Sequence, residues 1–214
     1  MDNRVELIYN IIGSILLFSV ICYCWKKCLN DKFSFKSKDV LISIITLTIL
    51  SIASDYLFPK PIRIVSVFGS LLLVCRIKFS KNLRDSILLV TISELTLWIA
   101  EFSFAILISL IYKGDIQKFV NVGPVFLLLN AYITVVSFLL VRSKVTRKLY
   151  LKLKTSYEIM KKNELVLYPF MIVLIVIVST VESYMKLDLP IILFTNLLMG
   201  IIFISVFLNM SITK

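Results

Sequence analysis

The chain has 214 residues, 59% of them hydrophobic, a mean hydropathy of +0.94 and a formal charge of +11. Its apolar mass lies in long runs that a water-soluble core cannot absorb, and with about 20 residues per crossing six or seven spans fill most of the length and leave no room for a soluble domain. The absence of histidine removes the commonest general base, the commonest metal ligand and the phosphoacceptor of a histidine kinase, while a basic excess split among loops between apolar runs reads as membrane topology, not as a nucleic-acid surface.

The first apolar run, 5–25, follows Asp2 and Glu6 and precedes Lys26 and Lys27. A secretory signal has the opposite polarity, so this is a retained helix with its N-terminus outside. Cys22, Cys24 and Cys28 lie where this run meets the basic loop; with Cys75 these make four cysteines and no Cys-x-x-Cys pair. They read as small apolar filler facing reducing cytosol, and no metal or cofactor is assigned to them. A loop with five lysines, 26–39, leads to the second run, 40–58, which ends at Pro59-Lys60-Pro61 because neither proline can donate an amide hydrogen.

The third run, 62–79, has an apolar stretch of only 14 residues, which rises ~21 Å against a hydrocarbon thickness of ~30 Å. It crosses if Arg63, Arg76 and Lys78 snorkel to the two interfaces. Seven spans then place 18 of the 24 basic residues on the inner side, whereas a six-span arrangement with 62–79 re-entrant keeps 16 there and exports the five-lysine loop. Seven spans are therefore expected, with the C-terminus cytoplasmic.

The fourth run, 86–112, is the longest, and the fifth, 119–141, returns inward after an external turn at 113–118. The segment 142–164 then carries eight Lys and Arg against two Glu. Its apolar residues Val145, Leu149, Leu153, Tyr157 and Met160 recur at three or four, the pattern of an amphipathic helix on the inner leaflet. Runs 165–185 and 190–210 complete an all-α polytopic transmembrane bundle, read as a single domain over 1–214.

Ionisable groups inside a span are expensive, about 2.5 to 3.5 kcal/mol for a central Asp on insertion scales, so each needs a partner or a role. Glu94 and Glu101 are seven residues apart, which leaves their carboxylates ~20° apart in azimuth and ~10 Å apart in height on one helix face. They share that face with Trp98 and suit either a polar seam between helices or ligand recognition. Glu101 lies nearer the outer side, where it is expected to face the bundle interior and a ligand cavity; Glu94 is expected to serve helix association. Asp55 and Glu182 fall near outer span ends beside Tyr56 and Tyr184, positions that also suit interface anchoring. A carboxylate pair can serve acid–base catalysis, but no nucleophile with a matched base accompanies it, and five glycines form no phosphate loop. The chain is read as a non-enzyme.

The lysine-rich first loop, the short third run ending in Val74-Cys-Arg-Ile-Lys-Phe79, and the polar-studded fourth run SILLVTISELTLWIAEFSFAILISLIYKG together form a recognisable layout. It resembles the membrane receptor region of bacterial peptide-pheromone histidine kinases of the accessory gene regulator and competence type, over nearly the whole chain. The resemblance implies a plasma-membrane receptor that detects an exported, apolar peptide at its outer face. It also implies a relay through the last helix to a cytoplasmic kinase region, which would hold two copies together. None of that family's kinase motifs is present, so no catalytic residue carries over. Asp55, Trp98, Glu101, Glu182 and Tyr184 are candidate ligand contacts by location. The competing reading is the substrate-binding membrane subunit of a small-molecule transporter. Its docking helix would show small residues spaced by three, whereas Gly13 and Ser14 are followed by Leu17 and Phe18.

Overall fold

The computed structural model describes residues 3–29, 37–80, 82–111 and 123–159, all but a few linking positions of which are α-helical. Six helices are seen among them: α1 (Asn3–Cys28), α2 (Lys38–Leu57), α3 (Lys60–Lys78), α4 (Leu83–Ile111), α5 (Gly123–Arg142) and α6 (Lys144–Ile159). The chain divides into two compact units, Met1–Leu151 and Lys152–Lys214. The expected runs 165–185 and 190–210, and the turn at 113–118, lie outside the described residues.

Helix ends follow local chemistry. The residue before a proline is pushed out of the α region, and Phe58, ahead of Pro59, is extended at φ −125°, ψ 144°, so α2 stops at Leu57. Pro59 then precedes α3, and Pro61 falls in its first turn, where an amide hydrogen has no helical acceptor. Lys26 and Lys27 lie in the last turn of α1, and Arg76 and Lys78 in that of α3, where cations oppose the negative end of the helix dipole. Between α5 and α6 the axis bends by 66°. The hydroxyls of Ser143 and Thr146 both donate to the Leu140 carbonyl there, at 2.6 and 2.8 Å.

In the first unit, α1 packs on α2, α2 on α3, α3 on α4, α4 on α5 and α5 on α1, which closes a five-helix ring, and α1 also touches α4 across it. Ring contacts fix the directions. Trp25 meets Phe79 edge-on at 5.1 Å and Lys78 Nζ lies 3.4 Å from Asp39, so the end of α1, the start of α2 and the end of α3 share one end of the bundle. Tyr23 stacks on Phe138 at 4.8 Å, which makes α5 parallel to α1. Lys26, Lys27, Lys38, Arg76, Lys78, Arg84 and Arg142 therefore gather at one end.

Three helical stretches among the described residues are long and apolar enough to cross a membrane: Leu7–Cys28, Lys38–Leu57 and Leu83–Ile108. A fourth candidate is the bent pair Leu127–Arg142 with Lys144–Thr155. Of the seven spans expected from sequence, five fall on described helices, and three or four of these meet that test of length and composition. Helix α3 falls short because Lys60, Arg63, Arg76 and Lys78 sit near its ends. Two of those charges do not snorkel alone as expected: Arg63 pairs with Asp55 and Lys78 with Asp39, both on α2. Outward stripes are apolar, through Leu41, Ile42, Ile45 and Ile49 on α2 and Ile62, Val65 and Leu73 on α3. Intervening hydroxyls are hidden by bonding back one turn, as Ser43 to Asp39, Ser70 to Ser66 and Thr96 to Ile92, which satisfies them where water is scarce.

The core extends along the bundle, through Ala100, Phe104 and Ile133 toward the hairpin end, and its largest buried side chain, Trp25, lies at the cation-rich end. Trp25, Cys22, Cys24, Cys28, Val40, Leu71, Cys75, Leu89 and Val90 are all buried there. Toward the other end Val5, Ile8, Tyr56, Leu57, Ile62 and Leu107 are exposed.

Candidate functional site

At the end away from the cation cluster the α2–α3 hairpin places Asp55 and Arg63 symmetrically about Pro59, four residues to either side, and their side chains form an ion pair. One residue inward from Asp55, Ser54 Oγ lies 2.9 Å from Ser66 Oγ and also donates to the Leu50 carbonyl at 2.7 Å. These contacts fix the two helices in register. They also lift the tip into the open: Tyr56 is 74% exposed and Leu57 71%, beside exposed Phe58 and Pro59. The hairpin therefore offers an aromatic and aliphatic tip above a carboxylate–guanidinium pair, and can take both an apolar group and a hydrogen-bonding one.

The second polar zone lies on α4. Its buried stripe runs through Ser93, Thr96, Leu97, Ala100 and Phe104. The line Glu94, Trp98, Glu101 lies roughly a quarter of the way round the helix from it. Glu94 and Trp98 are half-buried and Glu101 is exposed, so within the described helices Glu94, not Glu101, lies nearer the packed interior. Neither carboxylate forms an ion pair among the described residues. Trp98 stacks on Phe102 with ring centroids 5.7 Å apart and planes 16° from parallel. On the neighbouring face Ser103 Oγ lies 3.1 Å from the Tyr132 hydroxyl, and Phe104 packs against the same ring at 5.2 Å, tying α4 to α5.

Of the residues singled out from sequence, Asp55 belongs to the hairpin pair, while Trp98, Glu94 and Glu101 share a face of α4. Among the described residues no contact joins the two groups, and Glu182 and Tyr184 lie outside them. Sequence reasoning missed Arg63 as the partner of Asp55, although equal spacing about Pro59 signals it. It also missed the Ser103–Tyr132 contact, which has no sequence signal. All four cysteines are free and buried, as filler would be. Comparison with protein-family models, curated proteins and solved structures finds no match.

Proposed function

We propose that the chain is the membrane-embedded receptor part of a peptide-sensing system. An exported, apolar peptide engages the end of the helix ring opposite the cations. The signal leaves through the run 190–210 toward a cytoplasmic histidine kinase region that brings two copies together. In this reading the chain lies in the cell membrane, crosses it seven times, and has an external N-terminus and a cytoplasmic C-terminus, since Lys and Arg are retained on the inner side.

The observation that carries the reading is the exposed hairpin tip: at the end away from the cation cluster, Tyr56, Leu57 and Phe58 stand beside the Asp55–Arg63 pair. A receptor needs its adaptable surface on the side from which the ligand comes. The α3 geometry supports the crossing count. Nineteen residues rise ~28 Å, close to the ~30 Å core, and ion pairs to α2 near both ends relieve the charges that lower its hydropathy.

The test is a chimera in which residue 214 continues into the dimerising helix of a heterologous kinase, challenged with the peptide fraction of medium conditioned by the source organism. Output that changes with this fraction, and stops changing after protease treatment of the medium, supports the sensor. Output indifferent to the fraction, together with uptake of a labelled small molecule when an ATPase partner is co-expressed, favours the transporter subunit.

A further inference from the structure

We propose that the exposed face of α6 formed by Leu151, Lys144, Lys148 and Val145 is a binding surface for anionic phospholipid headgroups in the leaflet where α5 ends. At 100° per residue these four side chains occupy one ~120° sector. The two lysines lie at its centre, one turn apart, with Leu151 on one flank and Val145 on the other. Lys144 and Lys148 are exposed, Val145 is 70% exposed and Leu151 47%. The opposite side of the helix holds the buried residues Thr146 and Tyr150. Of the face expected from apolar spacing, Leu153 is buried and Leu149 half-buried, whereas Val145 points outward and Tyr150 takes a packed position; Tyr157 and Met160 lie outside the described side chains.

Three features make lipid the fitting occupant. First, only Ser143 separates α6 from Arg142, the last residue of α5, and the 66° bend swings its first turns out of the α5 direction toward the plane of the bilayer surface. Its lysines then sit at headgroup depth. Second, residues 142–157 contain six Lys and Arg and no acid, and the first turn of α6 has no acidic residue. Like charges at i and i+4 repel, so the Lys144–Lys148 pair fits a bridging anion. Third, two exposed aliphatic side chains beside the lysines match the boundary between phosphates and acyl chains, where amphipathic helices bury their apolar flanks. A soluble polyanion would leave Val145 and Leu151 in water.

The experiment uses the full chain, delipidated in detergent, incubated with an equimolar mixture of phosphatidylglycerol and phosphatidylcholine, with bound lipid counted by native mass spectrometry. Each lysine near an anionic surface gives about a fivefold preference, so phosphatidylglycerol should be retained in clear excess. K144Q/K148Q should lower that excess by roughly tenfold or more, with helicity and monodispersity unchanged. K38Q/R84Q, which removes two exposed cations at the same end of the bundle, should leave it intact. Soluble glycerophosphate should not displace the lipid. The proposal is overturned if K144Q/K148Q keeps the excess, or if K38Q/R84Q lowers it equally, which would mean diffuse charge. It is also overturned if the two lysines capture a labelled oligonucleotide without preferring one lipid to the other.

Discussion

The contact that locks the cation-rich end can be dissected by one double-mutant cycle. Trp25 is fully buried, its indole N–H donates to Ser93 Oγ at 3.2 Å, and the Ser93 hydroxyl donates in turn to the Val90 carbonyl at 2.8 Å. Ser93→Ala strips the acceptor and strands the indole donor. A stranded buried donor costs about 1–3 kcal/mol in a dry interior. In a membrane the unfolded reference state also finds partners, so polar contacts between helices average about 0.6 and reach about 1.7 kcal/mol. With Trp25→Phe in place no donor remains, and Ser93→Ala removes only a hydroxyl already bonded within its own helix. The expected coupling is therefore about 0.6–1.7 kcal/mol, read from reversible unfolding in mixed micelles by far-UV circular dichroism. Trp25→Ala, which also empties the space against Phe79, should cost about 3–5 kcal/mol. If Ser93→Ala costs the same in the parent chain as in the Trp25→Phe variant, the hydrogen bond does not join the helices.

Three further outcomes follow from the same geometry. A cysteine introduced at Ser156 should resist impermeant thiol reagents in intact cells and react after permeabilisation, against a low background because the four native cysteines are buried; labelling in intact cells would invert the topology. Reversing either charge of the partly exposed Asp55–Arg63 pair should cost about 1 kcal/mol or less, and the double reversal D55R/R63D should recover most of it; no recovery would mean that the two side chains do not act on each other. Glu101→Leu should insert normally and lose response in the kinase chimera, whereas Glu94→Leu should lower folded yield; the opposite pattern would exchange the roles of the two carboxylates.

Much of the helical layout was legible because membrane spans announce themselves by length and composition. The starts and stops of α1 to α4 fall within three residues of the runs read from hydropathy, and proline chemistry places the α2–α3 turn. What stayed hidden was rotation. A span that is apolar all round gives little periodic signal about which face meets protein and which meets lipid, so the flank position of Glu101 and the outward turn of Val145 had to come from packing. Pairing was hidden for a related reason. Arg63 and Lys78 read as snorkelling residues when α3 is considered alone, and only the α2 neighbour turns them into ion pairs. The relation of Ser103 to Tyr132 depends on the antiparallel register of α4 and α5, which no local pattern encodes.

The contrast between α3 and α4 bears most directly on function. Both carry charge at positions where a bilayer penalises it. On α3 the penalty is met inside the fold, because Asp55 and Asp39 neutralise Arg63 and Lys78 near the two ends, and those charges are explained by structure. On α4 no described cation meets Glu94 or Glu101, although the helix is the longest of the set and passes next to α1, α3 and α5. A carboxylate flanking a packed stripe, with a stacked Trp98–Phe102 pair beside it, has both an apolar floor and an unmet demand for hydrogen-bond donors. Helix association alone does not require that combination, since Ser103 and Tyr132 already join α4 to α5 without charge. In the proposed receptor the acids of α4 are therefore sites for altering response in addition to the hairpin pair, because packing leaves their charges unmatched while Asp55 and Arg63 meet each other.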